Sequence, residues 1–253
     1  MRRSLFMAAV AVVALSSAGW TMAPAIDFLP QSYAAALANP VRTDTDRARD
    51  EARHTAETLD FAGVKPGEKV ADMIIGGGYF TRVFSAVVGP EGHVTAWQPE
   101  EFVAFQASYG EAVTAADALP NVDGVRSPIG APAFPADLDL IFTAQNYHDL
   151  HLQPFPVDTA AKVNAAAFAA LRPGGRYVIV DHDATAGSGL TAAHTLHRID
   201  IEAVKQEVEA AGFVLDGESS VLANPEDPRT ANVFNPAIRG HTSQFMLRFK
   251  KPG

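Results

Sequence analysis

The sequence predicts an α/β domain built on a mostly parallel sheet. Three observations carry this. An apolar run over 70–75 holds one acidic residue, Asp72, opens into three glycines, Gly76, Gly77 and Gly78, and continues into a helical stretch over 79–88. Further apolar runs at 93–97, 138–142, 177–180 and 245–249, with a weaker one at 122–129, alternate with helical stretches at 158–171 and 200–211. Strands that alternate with helices pair in parallel through crossovers. Between them stand turn clusters such as Gly89-Pro90-Glu91-Gly92 and Arg172-Pro173-Gly174-Gly175.

In chain order, residues 1–25 come first. Arg2 and Arg3 precede an apolar stretch over 5–15, and small residues follow at Ser16, Ser17, Ala18, Ala23 and Ala25. That is the order of a secretory signal. It predicts an exported, periplasmic protein with no membrane insertion once the signal is cleaved; an uncleaved anchor is the alternative. Residues 26–63 read as a helical lead, with a short helix over 34–38. A second stretch over 44–59 places Ala48, Ala52, Ala56 and Leu59 at helical spacing among many charges. It is expected to be a solvated packing helix, or else a lid over the glycine turn. Residues 64–253 make up the α/β domain.

Composition narrows the function. The 253 residues can bury a full core. A formal charge of −9 disfavours nucleic acid, whose phosphates need a basic face. The absence of cysteine excludes disulfides, thiolate metal sites and a thiol nucleophile. No Walker phosphate loop or Gly-x-Ser-x-Gly elbow is present, and Phe80 and Thr81 interrupt a full dinucleotide fingerprint.

The glycine turn after the first strand lets a ligand approach the backbone, and the helix behind it offers free N–H groups. With the strand Asp137-Leu138-Asp139-Leu140-Ile141-Phe142 and the stretch Leu171-Arg172-Pro173-Gly174-Gly175-Arg176-Tyr177-Val178-Ile179-Val180-Asp181-His182, it resembles the class I S-adenosylmethionine-dependent methyltransferases. The stretches Arg47 to Gly67, Gln145 to His151, His197 to Asp200, Leu222 to Thr230 and Ile238 to Phe249 resemble a group of exported bacterial predicted methyltransferases. The resemblance spans roughly residues 33–252. It implies a Rossmann-like, mostly parallel seven-stranded sheet with an antiparallel last strand and helices on both faces. It further implies S-adenosylmethionine as cofactor, bound at the carboxyl ends of the first strands. Carried over residue by residue, Asp72, Gly76, Gly77 and Gly78 form the cofactor turn. Gln98 stands where an acidic ribose ligand is usual, with Glu100 and Glu101 just beyond. Ile74 occupies the place of the usual first glycine.

Polar and ionisable residues gather at the expected ends of strands four and five: Asn146, His148, Asp149 and His151, then Asp181, His182 and Asp183. Methyl transfer needs alignment and removal of a proton. His148 is the expected base because its ordinary pKa lies near neutrality. Asn146 is expected to orient the acceptor, and His182 to line the pocket or move a proton. His148 and His151, like His194 and His197, are three apart, so two histidine pairs with Asp181 or Asp183 offer a divalent-ion site as an alternative; no metal is assigned. The expected function is methyl transfer to a small-molecule acceptor. The alternatives are a non-catalytic ligand-binding protein of the same fold, or a metal-dependent hydrolase or lyase using His148, His151, His194 and His197.

Overall fold

The computed structural model describes residues 33–253; the predicted signal and the start of the lead lie outside the described residues. Seven strands form one sheet: β1 (Lys69–Met73), β2 (His93–Pro99), β3 (Val122–Ser127), β4 (Leu138–Ala144), β5 (Leu171–His182), β6 (Val214–Ser219) and β7 (Gln244–Lys250). Their order is β3-β2-β1-β4-β5-β7-β6. β1 to β5 pair in parallel, and β7 runs antiparallel between β5 and β6. This is the sheet expected from the sequence.

The inner strands are apolar on both sides because helices cover both faces. Successive residues alternate between two cores. Val70, Leu140, Phe142, Val178 and Met246 face one; Ala71, Ile141, Tyr177, Ile179 and Leu247 face the other. The chain opens with the helices α1 (Ala34–Leu37), α2 (Asp44–Arg47) and α3 (Thr55–Ala62). They are followed by α4 (Tyr79–Val88), α5 (Glu100–Phe105) and α6 (Ala107–Asp117), and later by α7 (Thr159–Ala170), α8 (Ala193–Leu196) and α9 (Ile201–Ala210). α3, α4 and α6 cover the first core through Leu59, Phe84 and Val113. α7 and α9 cover the second through Val163, Ala167, Val204 and Val208.

Three local expectations change. β1 ends at Met73, because Ile74 turns into the left-handed region at φ 63°. Residues 100–117, unassigned by the sequence, form α5 and α6. The single helix expected over 44–59 is two helices separated by a run of turns, with His54 left-handed at φ 42°. Tertiary bonds hold this segment: Arg82 grips Asp46 at 2.6 and 2.7 Å, and Asp50 bonds Arg42 and Tyr79. It is thus tied to the first turn of α4 and is not a free solvated helix. Among the described residues no helix is long and apolar enough to cross a membrane.

Candidate functional site

A cavity of about 1140 Å³ opens at the carboxyl ends of β1, β4 and β5. Open parallel sheets bind ligands at this edge. Its floor is the turn from β1 into α4. Asp72 sits there buried, accepting the Thr81 hydroxyl at 2.6 Å. Burial pushes its pKa up to about 6 against the opposing Thr81 hydrogen bond. Gly76 and Gly77 line the cavity, and a Cβ on either would meet nothing within 4 Å. Gly76 has φ 54°, which a side chain adopts only with strain. Gly78, by contrast, is the residue before α4; it donates to the Ile75 carbonyl at 2.8 Å and stays off the cavity wall.

Gln98 and Glu100 do not take the places expected of them. Gln98 is fully buried, and its Oε1 accepts the Gly76 N–H at 3.0 Å. It braces the turn from behind, and its carbonyl is already used. Glu100 points to solvent at the start of α5. The acid that reaches the cavity is Glu101, whose carboxylate also accepts the Ile129 N–H at 2.9 Å.

The sequence reading missed the cationic wall. Arg49 and Arg53, four residues apart in the turns before α3, both line the cavity. Their guanidiniums lie 5.2 and 4.7 Å from the Tyr79 ring centroid, and Arg53 donates to Gln145 at 3.2 Å. Burial, and then Arg49, lower the Arg53 pKa to about 10. The charge density of the 44–59 stretch was the available signal; only the breaking of the helix aims it inward.

At the far wall, a 3₁₀ turn over His148–His151 follows β4. His148 is buried, with its main-chain N–H and Nδ1 on the two oxygens of Asp181 at 2.7 and 2.8 Å. Its Nε2 faces Asp149 Oδ1 at 3.1 Å and His197 Nδ1 at 3.3 Å. Burial opposes a charge on His148, but Asp181 and Asp149 outweigh it and push the pKa up to about 10. A base needs a free lone pair at neutral pH. The two carboxylates hold His148 in its protonated form at neutral pH, so the base role expected from sequence does not suit it. His182 lines the cavity as a neutral imidazole, because burial lowers its pKa to about 4, and its Nδ1 meets the Thr242 hydroxyl at 2.8 Å. Asn146 spends its amide hydrogens on the Ile74 and Ala144 carbonyls, leaving its oxygen as an acceptor for the cavity.

The two histidine pairs do not converge. His151 bonds Glu207 at 3.1 Å, and His194 meets the Gln153 N–H at 3.3 Å. His148 and His197 alone come together, with Asp149 between them. His197 reaches that position because α8 ends at it in a left-handed turn.

No protein-family model and no curated protein matches the chain. Solved structures do. An S-adenosylmethionine-dependent methyltransferase from Aquifex aeolicus superposes with a TM-score of 0.56 at 21% identity, over 80% of this chain and 92% of that one. The fold is that of the class I methyltransferases. The methyltransferase fold also carries the arsenic(III) S-adenosylmethionine methyltransferase of Chlamydomonas reinhardtii, with a TM-score of 0.50 at 16% identity over 76% of this chain and 65% of that one. The 4+2 cyclase SpnF matches as well, with a TM-score of 0.58 at 14% identity over 85% and 86% of the two chains.

Proposed function

We propose that the protein is an S-adenosylmethionine-dependent methyltransferase acting on a small-molecule acceptor. The observation that carries this is the cavity itself. A bare glycine turn, a buried acid at the end of β1 and two arginines stand at the edge where this fold binds ligands. Gly76 and Gly77 let the cofactor's amino-acid end lie against the backbone. Arg53 and Arg49 supply the charge for its carboxylate, a role suited to a planar guanidinium. Asp72 faces its cationic half, and Glu101 offers carboxylate acceptors to the ribose hydroxyls in place of Gln98 and Glu100. When bound, the cofactor supplies an electrophilic methyl group.

The acceptor lies toward His182 and Asn146. The neutral His182 ring and the free Asn146 oxygen orient it for attack on the methyl carbon. The apolar signal-like start of the sequence supports action outside the cytoplasm.

Because the 4+2 cyclase SpnF has the same fold, the test reads both binding and turnover. Calorimetry with S-adenosylmethionine and S-adenosylhomocysteine is expected to give micromolar binding of each. Incubation with labelled cofactor and acceptor pools is expected to yield S-adenosylhomocysteine. Absence of binding to either nucleoside overturns the reading. Binding without transfer to any acceptor replaces it with a binding role.

A further inference from the structure

The group formed by His148, Asp149 and His197 has the shape of a metal site. The separations are 3.1 Å from His148 Nε2 to Asp149 Oδ1, 3.3 Å from His148 Nε2 to His197 Nδ1, and 3.8 Å from His197 Nδ1 to Asp149 Oδ1. A triangle with these edges has a circumscribed radius of about 2.0 Å, so one ion can reach all three atoms at the distances zinc takes to imidazole and carboxylate, about 2.0–2.2 Å. Without an ion, a proton on His148 Nε2 joins that nitrogen to Asp149 Oδ1, and a metal ion takes the place of this proton. We propose that His148, Asp149 and His197 bind a first-row divalent ion of the zinc type, with its remaining coordination position open to the cavity.

Three further features fit this assignment. Asp181, fully buried, accepts from His148 Nδ1 at 2.8 Å, so the proton an ion displaces comes from Nε2 and the ring stays oriented on the ion. A carboxylate behind a ligating histidine is the usual outer support of such sites. His197 is held in its left-handed turn at φ 54°, its ring edge-on to His148 and backed by Phe234 at 4.9 Å between centroids. All three ligands line the cavity, so a water or an acceptor oxygen can complete the coordination. Two imidazoles and one carboxylate favour zinc or ferrous iron over magnesium or calcium, which prefer all-oxygen sets. An ion here would attract an acceptor bearing a hydroxylate or carboxylate oxygen. The site stands whether or not S-adenosylmethionine binds, because none of the three ligands belongs to the glycine turn.

The test uses tag-free purified protein stripped with chelator. Zinc titration by calorimetry is expected to show one site per chain, and cobalt(II) is expected to give visible absorption bands of a four-coordinate nitrogen and oxygen site. His197→Ala, at a partly exposed position, should weaken zinc by at least about tenfold and abolish the cobalt bands, with its melting curve retained. His151→Ala and His194→Ala should leave both readouts unchanged. No stoichiometric zinc in the parent protein overturns the proposal. So does zinc that survives both His197→Ala and Asp149→Asn unchanged. Metal binding with no cofactor binding keeps this site and refutes only the methyltransferase reading.

Discussion

Replacing Asp72 with asparagine should stabilise the protein, and only at high pH. Asp72 is buried beneath the cavity, and burial raises its pKa from the ordinary 3.8 to about 6. The folded state therefore holds this proton more tightly than the unfolded chain. The associated stability is fully present below about pH 4 and is lost as pH rises through about 6. A shift of about two units corresponds to a penalty of up to about 3 kcal/mol at pH 8. Asparagine keeps the shape and an oxygen for the Thr81 hydroxyl, but carries no charge. Asp72→Asn should thus gain up to about 3 kcal/mol at pH 8, a rise of roughly 6–10 °C in Tm for a chain of this size. The gain should fall to about 1 kcal/mol at pH 4.5 and vanish below about pH 3. The assay is denaturant unfolding of both proteins at matched pH, where all other titrating groups cancel in the difference. A gain that is absent at pH 8, or equal at pH 4.5 and pH 8, refutes the burial argument. The same variant should bind S-adenosylmethionine more weakly, since it removes the buried charge from the face a cationic ligand meets.

Arg53→Met should weaken S-adenosylmethionine by about tenfold to a hundredfold, the worth of a charge-assisted bond to its carboxylate, while 5′-methylthioadenosine, which lacks the amino-acid part, binds as before by calorimetry. Gly76→Val places a branched side chain into the cavity at φ 54°, so cofactor titration should show binding lost and melting should show about 1–3 kcal/mol of strain. Arg198 and Asp227 form a fully buried bidentate pair at 2.8 and 2.9 Å that pins the segment before β7 to the link between α8 and α9. Arg198→Met should cost about 3–5 kcal/mol in denaturant unfolding, because it strands a buried carboxylate, and Arg198→Met with Asp227→Leu should recover part of that loss.

Much of the site's frame was readable in the linear chain. The run ending in Gly76-Gly77-Gly78 announces its own turn, because φ values of 54° and 73° at Gly76 and Gly78 are open to glycine without a steric penalty. Asp72 is legible for a similar reason, being the lone acid in an apolar strand. Gln98 and Glu100 were misplaced because a strand end determines only that a side chain lies near the edge. A difference of one residue decides whether it faces the cavity, as Glu101 does, or solvent, as Glu100 does. Ile74 shows the opposite case. Its left-handed backbone goes against the β-branched side chain, and the surrounding core holds it there at 2% exposure.

By itself, then, the sequence determined the alternation of strands and helices, the parallel sheet and the turn at its centre. Those properties are set by neighbours a few residues apart, through hydrophobic period and glycine freedom. Only the tertiary structure decided what meets across the cavity. It broke the charged stretch over 44–59 so that Arg49 and Arg53 face inward. It separated His151 and His194 from the cluster and brought His197 onto His148, 49 positions away in the chain. It also set Asp181 behind His148 to hold the ring. These pairings depend on where β4, β5 and α8 end in space, and no local period encodes that.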